Sequence, residues 1–251
     1  MKCDLCDRRA VIYRPSSGHR LCLQCLDKVL ERGIRRSLSK LGALAPGKKV
    51  LVPVTCYNTL ASLGLAHIVR RMKKGYGTKV TIAIPSSVRA RGMEGEDVIK
   101  VMVSRQEKMS MCQAFLYDRT WSLRVAKVLS YDAVLFPLTA TDGLLLTLHS
   151  IFEGEESLIT FLKEVEEEGG IPIINALLGV EASTMAAYAA LHGLEGRCLE
   201  VERGGSKHLM EVLKGLGPEA EFSYLRVIEF LSRRARKYEN VFQDMEVEVL
   251  I

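Results

Sequence analysis

The sequence VLVPVTCYNTLASLG, residues 50–64, decides the fold class of this chain. Its first five residues are apolar and mostly β-branched, which predicts a buried strand, and the leucines and small residues that follow predict a helix. A strand that turns directly into a helix is the first unit of an open α/β domain, and phosphate-binding versions of this turn are rich in glycine, serine and lysine. Here the turn reads Thr55-Cys56-Tyr57-Asn58, and no glycine follows before Gly64, so the expected nucleotide loop is missing.

Strands and helices alternate along the chain from Lys49 onward. Several predicted strands are continuous apolar runs, as expected where both faces of a sheet are covered. This alternation predicts an α/β fold with a doubly wound, mainly parallel sheet. The predicted strands are Val50–Val54, Lys79–Ile84, Val98–Val103, Ala133–Leu138 and Ile171–Asn175, and the predicted helices are Leu60–Lys74, Cys112–Leu129, Leu144–Phe152 and Ser157–Glu168.

The regions on either side of this segment differ in pattern. Residues 1–30 are organised around cysteines and turn residues, and an amphipathic helix is predicted over Leu23–Leu41. We therefore expect a small N-terminal module (1–30), an α/β domain (31–200) and a helical C-terminal region (201–251). Within and beyond the α/β domain, the predicted later elements are helices at Ala182–His192, Ser206–Leu216 and Glu221–Lys237, followed by Met245–Ile251 as a short strand or a frayed tail.

Composition and charge limit the class of protein. The chain has 251 residues, of which 48% are hydrophobic and 26% charged, as in ordinary globular proteins. No apolar run approaches the roughly 20 residues of a membrane span, and no apolar segment of a signal peptide follows the N-terminal charges, so we expect a cytoplasmic protein. The net charge of +5 is concentrated in clusters that can form one nucleic-acid-binding face or remain separate solvated helix faces. These clusters are Arg32–Lys40 with Lys48 and Lys49, Arg70–Lys74, Arg89 with Arg91, and Arg233–Lys237.

Four of the seven cysteines form a pattern typical of a metal site. Cys3-x2-Cys6 and Cys22-x2-Cys25 are separated by fifteen residues, and two such knuckles can supply four thiolates to one structural zinc ion. Four unligated cysteines, or a rubredoxin-type iron centre, are the alternatives. The other three cysteines are Cys56, Cys112 and Cys198. Each alone is explained as an inert buried thiol, although Cys56 follows a strand and Cys112 opens a helix, positions that lower a thiol pKa.

The N-terminal run CDLCDRRAVIYRPSSGHRLCLQCL resembles the zinc module that opens the tRNA 2-thiouridine synthetases of the TtuA type. The matching positions include Ala10, Arg14, Pro15, Gly18 and Leu21, and the resemblance continues to about Arg234. It implies an N-type (PP-loop) ATP pyrophosphatase fold after the module, and tRNA as the partner.

The motifs that serve ATP in the family are lost here. In register with the family's SGGKDS loop the chain reads Pro53-Val54-Thr55-Cys56-Tyr57-Asn58, without the glycines or the lysine. In register with GHN-x-DD, which helps hold nucleotide and magnesium, residues 137–142 keep only Asp142, for which we expect a helix N-cap. We therefore do not expect ATP binding.

The resemblance also implies a site for an iron–sulfur cluster. The first cysteine of the family's CxxC is replaced by Met109, whereas Cys112 and the later Cys198 remain. Cys56, at the position of the loop lysine, lies close enough in the family fold to supply a third ligand to a [4Fe–4S] cluster. Three redox-silent buried thiols are the alternative.

Three functions fit these observations. The first is a catalytically degenerate, tRNA-binding partner of an active tRNA sulfurtransferase, in a heterodimer or a homodimer, as in the subunit pair of eukaryotic wobble-uridine thiolation. Its tRNA contacts are expected from Arg35, Arg36, Arg233 and Arg234. The second is an active sulfur-transfer enzyme that uses Cys56, Cys112 and Cys198 as persulfide carriers or cluster ligands. The third is a zinc-containing RNA-binding protein unrelated to thiolation.

Overall fold

The computed structural model describes residues 1–39, 45–72, 75, 77–103, 109–153, 156–198 and 247–250. Two strands and a helix open the chain, and an alternation of strands and helices follows. The strands are β1 (Ile12–Arg14), β2 (His19–Leu21), β3 (Lys49–Pro53), β4 (Lys79–Pro85), β5 (Val88–Arg91), β6 (Val98–Val103), β7 (Ala133–Thr139), β8 (Val165–Glu168), β9 (Ile171–Leu177), β10 (Glu195–Cys198) and β11 (Val247–Leu250). The helices are α1 (Leu23–Ser39), α2 (Thr59–Met72), α3 (Met111–Val128), α4 (Ala140–Glu153) and α5 (Ala182–Leu191), with a 3₁₀ helix at Glu156–Leu162.

A seven-stranded sheet in the order β11-β6-β4-β3-β7-β9-β8 forms the centre of the fold. Its five inner strands run parallel, and the two edge strands, β11 and β8, run antiparallel to their neighbours. The predicted α/β class with a mainly parallel sheet is confirmed. The apolar runs predicted all five inner strands to within about two residues, because a strand covered on both faces has no polar side to interrupt the run.

The sheet separates two apolar layers. Alternate residues of β3 divide between them: Val50 and Val52 pack in the cluster that contains α1, α2 and α5, and Leu51 packs in the cluster that contains α3 and α4. Helix α1 presents Leu26, Leu30, Ile34 and Leu38, all buried, to the first cluster, which confirms the predicted amphipathic helix. No helix among the described residues is long and apolar enough to cross a membrane.

The predicted helix at Ser157–Glu168 is wrong. The structure has a short 3₁₀ helix there and then the edge strand β8, paired antiparallel with β9. Gly169 and Gly170, with φ of 60° and 81°, make the tight turn between the two strands, so this glycine pair is the local sequence signal of the hairpin. The strand also places Glu166 2.7 Å from Arg119 on α3, a buried ion pair with no counterpart in a local sequence pattern.

Five further strands were missed or left open, namely β1, β2, β5, β10 and β11. β1 and β2 are only three residues each and pair with one another. β5 and β10 are only four residues each and pair with one another, so neither shows a pattern over a useful length. The chain end forms β11, which decides in favour of the short strand between the two alternatives for Met245–Ile251. The predicted helices Ser206–Leu216 and Glu221–Lys237 lie outside the described residues.

Candidate functional site

The turns that follow β3 and β7 lie next to each other at the carboxyl-terminal end of the parallel strands. These two strands are parallel neighbours, and β4 lies on the other side of β3, so the order of the strands reverses here. Ligands of open α/β sheets bind outside the carboxyl ends of strands at such a reversal. The turn at 55–58, before α2, and Thr139, before α4, therefore occupy the place where the fold usually carries its site.

A carboxylate from α3 occupies the anion position of the turn after β3. Asp118 is fully buried, and its Oδ2 accepts hydrogen bonds from the backbone amides of Cys56 (2.7 Å) and Tyr57 (3.0 Å). Its Oδ1 accepts a third hydrogen bond from the indole of Trp121, at 2.9 Å. Backbone amides before a helix N-terminus are the donors that usually bind phosphate. In this protein two of them donate to the chain's own side chain.

Several further hydrogen bonds join the turn to the first residues of α2. The amide of Thr55 donates to the hydroxyl of Ser62 at 3.0 Å, and the two hydroxyls are 2.7 Å apart. The hydroxyl of Ser62 also donates to the carbonyl of Asn58, and that of Thr59 donates to the carbonyl of Thr55. The amide of Thr55 is thus already bonded within the protein, and Pro53 has no amide hydrogen to offer a ligand.

Asp142 connects the two turns. Its Oδ2 accepts hydrogen bonds from the side-chain amide of Asn58 (2.7 Å), the hydroxyl of Thr139 (2.6 Å) and the amide of Thr139 (3.1 Å). The expectation that Asp142 is an N-cap needs correction, because Thr139 precedes α4 and Asp142 lies in its first turn. The two residues bond reciprocally, since the amide of Asp142 donates to the Thr139 hydroxyl, as in a capping box.

Two of the three cysteines outside the N-terminal module are joined. A disulfide links Cys56, in the turn after β3, to Cys198 at the end of β10, with the Cα atoms 5.1 Å apart. The interpretation of these two as isolated buried thiols is therefore wrong. Ser87 Oγ lies 3.4 Å from Cys56 Sγ. Cys112 is buried and not disulfide-bonded, and it packs in the apolar layer of α3 and α4, whereas Cys56 and Cys198 pack in the other layer.

The four N-terminal cysteines converge as their spacing predicts. Their sulfur atoms all lie within 4.8 Å of one another, with Cys6 Sγ 3.5 Å from Cys22 Sγ and 3.6 Å from Cys25 Sγ. Tetrahedral coordination at about 2.3 Å requires sulfur–sulfur separations of about 3.8 Å. The donor set therefore fits a single metal ion held by Cys3, Cys6, Cys22 and Cys25.

The surroundings favour ionisation of part of this cluster. Burial of the Cys3 thiol opposes ionisation, but hydrogen bonds from the backbone amides of Cys22 and Leu5 outweigh it and lower the pKa of Cys3 to about 6. A hydrogen bond from the Cys25 amide likewise lowers the pKa of Cys22. Burial and the neighbouring thiols raise the pKa of Cys25 to about 12. Without a metal, the cluster therefore divides its protons unequally, and a cation that binds must displace those that remain.

Buried polar contacts attach this module to the α/β domain. Arg14 lies 3.1 Å from the carboxylate of Glu181, which also accepts hydrogen bonds from the amide of Ser16 and the hydroxyl of Thr184. Glu181 immediately precedes α5 and is 4% exposed. Arg14 and Pro15 were singled out by the family pattern, but nothing local in the sequence indicated Glu181 as the partner.

The predicted tRNA contacts are placed only in part. Arg35 and Arg36 are exposed on α1, and Arg233 and Arg234 lie outside the described residues. Another exposed arginine, Arg197, lies opposite Arg89 in the β5–β10 ribbon. The alternation of Arg89 and Arg91 was a weak strand signal, but Arg197 had none. Asp118 was also missed, because an aspartate in a helix interior has no sequence mark of its partner.

Comparisons with known proteins agree with this architecture. Residues 2–27 match the family model described as the N-terminal LIM domain of the 2-thiouridine synthetase TtuA. No curated protein matches the chain. Among solved structures, the chain is similar to the U34-tRNA thiolase NcsA from Methanococcus maripaludis with its [4Fe–4S] cluster, at a TM-score of 0.72 and 17% identity over 94% of this chain and 88% of that one. Residues 2–27 are thus similar to the N-terminal LIM domain of TtuA, and the chain as a whole shares its fold with the solved structure.

Proposed function

We propose that this protein is a tRNA-binding member of the thiolation family that has lost ATP-dependent chemistry and serves as the partner subunit of an active tRNA sulfurtransferase. The observation that carries the proposal is the carboxylate of Asp118 on the amides of Cys56 and Tyr57. The LIM domain match and the thiolase-like fold support the link to tRNA thiolation.

Electrostatics argue against a phosphate at this turn. A phosphate that binds here has to replace the buried carboxylate of Asp118 as the acceptor for the two amides. It then lies next to that carboxylate, which carries a charge of the same sign. Two unit charges of the same sign 4 Å apart repel by about 4 kcal/mol at an effective dielectric constant of 20, or about a thousandfold in affinity. No lysine of an SGGKDS loop is present to offset this repulsion.

The direct test is calorimetric titration of the purified protein with ATP and magnesium, beside a paralogue with an intact SGGKDS loop. We expect no specific binding to this chain, micromolar binding to the paralogue, and co-purification of the two with tRNA. Specific binding of Mg·ATP to this chain at cellular concentrations, or adenylation of tRNA by this chain alone, contradicts the proposal.

We also propose zinc, in a structural role, as the metal of the four-cysteine site. Four thiolates at tetrahedral spacing leave no open position for a substrate, which supports a structural role. Metal analysis of the full chain purified from zinc- and iron-containing medium tests this choice. One equivalent of zinc without visible absorbance is the expected result, and one equivalent of iron with rubredoxin-like colour contradicts it.

The disulfide between Cys56 and Cys198 favours a second candidate function, sulfur transfer. In this reaction Cys56 receives sulfane sulfur from an external persulfide donor, and the thiolate of Cys198 then attacks the resulting Cys56 persulfide. The sulfur–sulfur bond of the persulfide breaks, the Cys56–Cys198 disulfide forms, and hydrosulfide leaves. The hydrosulfide displaces AMP from a tRNA uridine that an ATP-dependent paralogue has adenylated. An external dithiol then reduces the disulfide for the next cycle.

Single substitutions separate this candidate from the first. If Cys56→Ser abolishes tRNA thiolation but leaves assembly with the paralogue intact, the protein transfers sulfur. Retained thiolation supports the partner-subunit proposal. A third arrangement, a [4Fe–4S] cluster on Cys56, Cys112 and Cys198, needs the disulfide reduced. It is excluded if anaerobic reconstitution yields no iron beyond the four-cysteine site.

A further inference from the structure

The ribbon of β5 and β10 presents three arginines on one exposed face. Arg197 lies directly opposite Arg89, and Glu195 lies opposite Arg91. All four side chains are exposed, whereas the alternate positions of the ribbon face the protein, where Val88 is buried. Together with Gly196, these four residues line an open cleft of about 390 Å³. This arginine cleft lies outside the turn and the four-cysteine site described above.

We propose that the arginine cleft binds the phosphate backbone of an RNA strand. The proposal rests on the proposed tRNA-binding function and specifies a surface for it. Arginine forks match the geometry of phosphate oxygens, and arginine is one of the residues that make the sequence-independent phosphate contacts of protein–nucleic acid interfaces. The cleft is open and exposed, as suits a continuous strand rather than an enclosed small molecule.

The charges of the cleft favour the binding of an anion. Arg89 and Arg197 are cross-strand partners, and like charges directly opposite one another destabilise a β-ribbon. Among the described residues neither has an ion-pair partner. Glu195 lies 3.7 Å from Arg91, but both side chains are more than 70% exposed, so this pair is weak. A phosphate between the two opposed guanidinium groups relieves their repulsion.

The ribbon is held firmly beside the turn after β3. A Cβ atom on Gly196 would lie 2.5 Å from a methyl group of Leu63 and 2.8 Å from that of Thr59, so any other residue would force these α2 side chains to shift. The next inward residue, Cys198, is bonded to Cys56 in the turn itself. An RNA phosphate in the arginine cleft therefore brings the strand next to the cysteine pair.

Fluorescence anisotropy with a labelled tRNA transcript tests the proposal on the full chain. The test variant is Arg89→Gln with Arg197→Gln, which removes two charges from exposed positions. The control is Lys100→Gln with Lys127→Gln, which removes the same charge from exposed positions on β6 and α3. Thermal unfolding of each variant verifies folding, and we expect the arginine variant to be at least as stable as the unaltered protein.

We expect the arginine variant to bind tRNA about 10- to 100-fold more weakly in 0.1 M salt. A plot of the logarithm of the association constant against the logarithm of salt concentration should also become less steep by about 1.4, because two phosphate contacts are lost. The control should change either value by much less. Equal binding by both variants overturns the arginine cleft while leaving tRNA binding intact. Failure of the unaltered protein to bind tRNA overturns the proposed function and this inference together. Displacement of tRNA by millimolar inorganic phosphate or ATP at constant ionic strength, lost in the arginine variant, assigns the cleft to small anions instead.

Discussion

The guanidinium group of Arg14 lies 3.1 Å from the carboxylate of Glu181, across 167 positions of sequence. Their side chains are only 11% and 5% exposed. The ion pair thus joins the hairpin β1–β2 of the N-terminal module to the start of α5. A second set of contacts joins the same two parts of the chain. Asp27 on α1 lies 2.8 Å from both Arg71 and His192. The N-terminal module is therefore packed against the α/β domain. Substitutions that remove these contacts should lower the stability of the whole protein.

Glu181→Gln should destabilise the protein because it leaves the charge of Arg14 buried without its partner. Loss of one member of a buried pair costs about 3–5 kcal/mol, and we expect the lower end here because Arg14 keeps some solvent contact. Denaturant unfolding of the full chain measures the change. Asp7→Asn is the matched control, since its pair with Lys2 is exposed and should contribute nothing measurable. Equal stability of the two variants would show that the Arg14–Glu181 pair does not stabilise the fold.

The same carboxylate should make stability depend on acid. Burial alone would raise the pKa of Glu181, but its hydrogen bonds with Ser16 and Thr184 and the charge of Arg14 lower it below its ordinary value of 4.5. A carboxyl whose pKa is lower in the folded state stabilises the protein above about pH 4.5, and this contribution is lost as the pH falls through the lower, folded value. Between pH 5 and 3 the unfolding free energy should fall more steeply for the unaltered protein than for Glu181→Gln. Parallel profiles for the two proteins would mean that Glu181 does not titrate in this range.

Asp118→Ala should expose the anion-binding amides of the turn after β3. The substitution leaves three buried donors without their acceptor, at a cost of about 1–3 kcal/mol each before water or an anion enters. Phosphate or sulfate should therefore raise the unfolding temperature of the variant by several degrees, in proportion to the logarithm of concentration, but not that of the unaltered protein. Thermal scans at constant ionic strength measure this. Trp121→Phe removes one donor but keeps the carboxylate, so it should be destabilised without responding to phosphate. A variant insensitive to phosphate would contradict the assignment of these amides as an anion site.

The sequence was informative where a single element carries its own pattern. The run Val50–Val54 identified a buried strand, and the spacing of Cys3, Cys6, Cys22 and Cys25 identified a metal site, because in each case local periodicity reflects the environment. It was uninformative about contacts that the sheet topology creates. Asp118 lies 62 positions from Cys56, and Cys198 lies 142 from it. The sequence therefore predicted a turn without the glycines and lysine of a nucleotide loop, but not that the carboxylate of Asp118 accepts hydrogen bonds from the amides of this turn.

Loss of the metal should unfold the N-terminal module and leave the α/β domain in place. Structural zinc in small modules contributes about 10–16 kcal/mol of apparent binding free energy, far more than the short hairpin β1–β2 can supply. Cys22→Ser should therefore abolish metal binding and make residues 1–30 sensitive to protease, while Cys112→Ser, at a buried cysteine of the other apolar layer, should keep the full metal content. Metal analysis and mass spectrometry of proteolytic fragments measure both.

The module contacts Glu181 through Arg14. The Cys22→Ser protein should therefore also lose the acid dependence of stability that Glu181 provides, which would link metal binding to the Arg14–Glu181 contact. Retention of metal by Cys22→Ser, or its loss from Cys112→Ser, would show that the metal lies elsewhere.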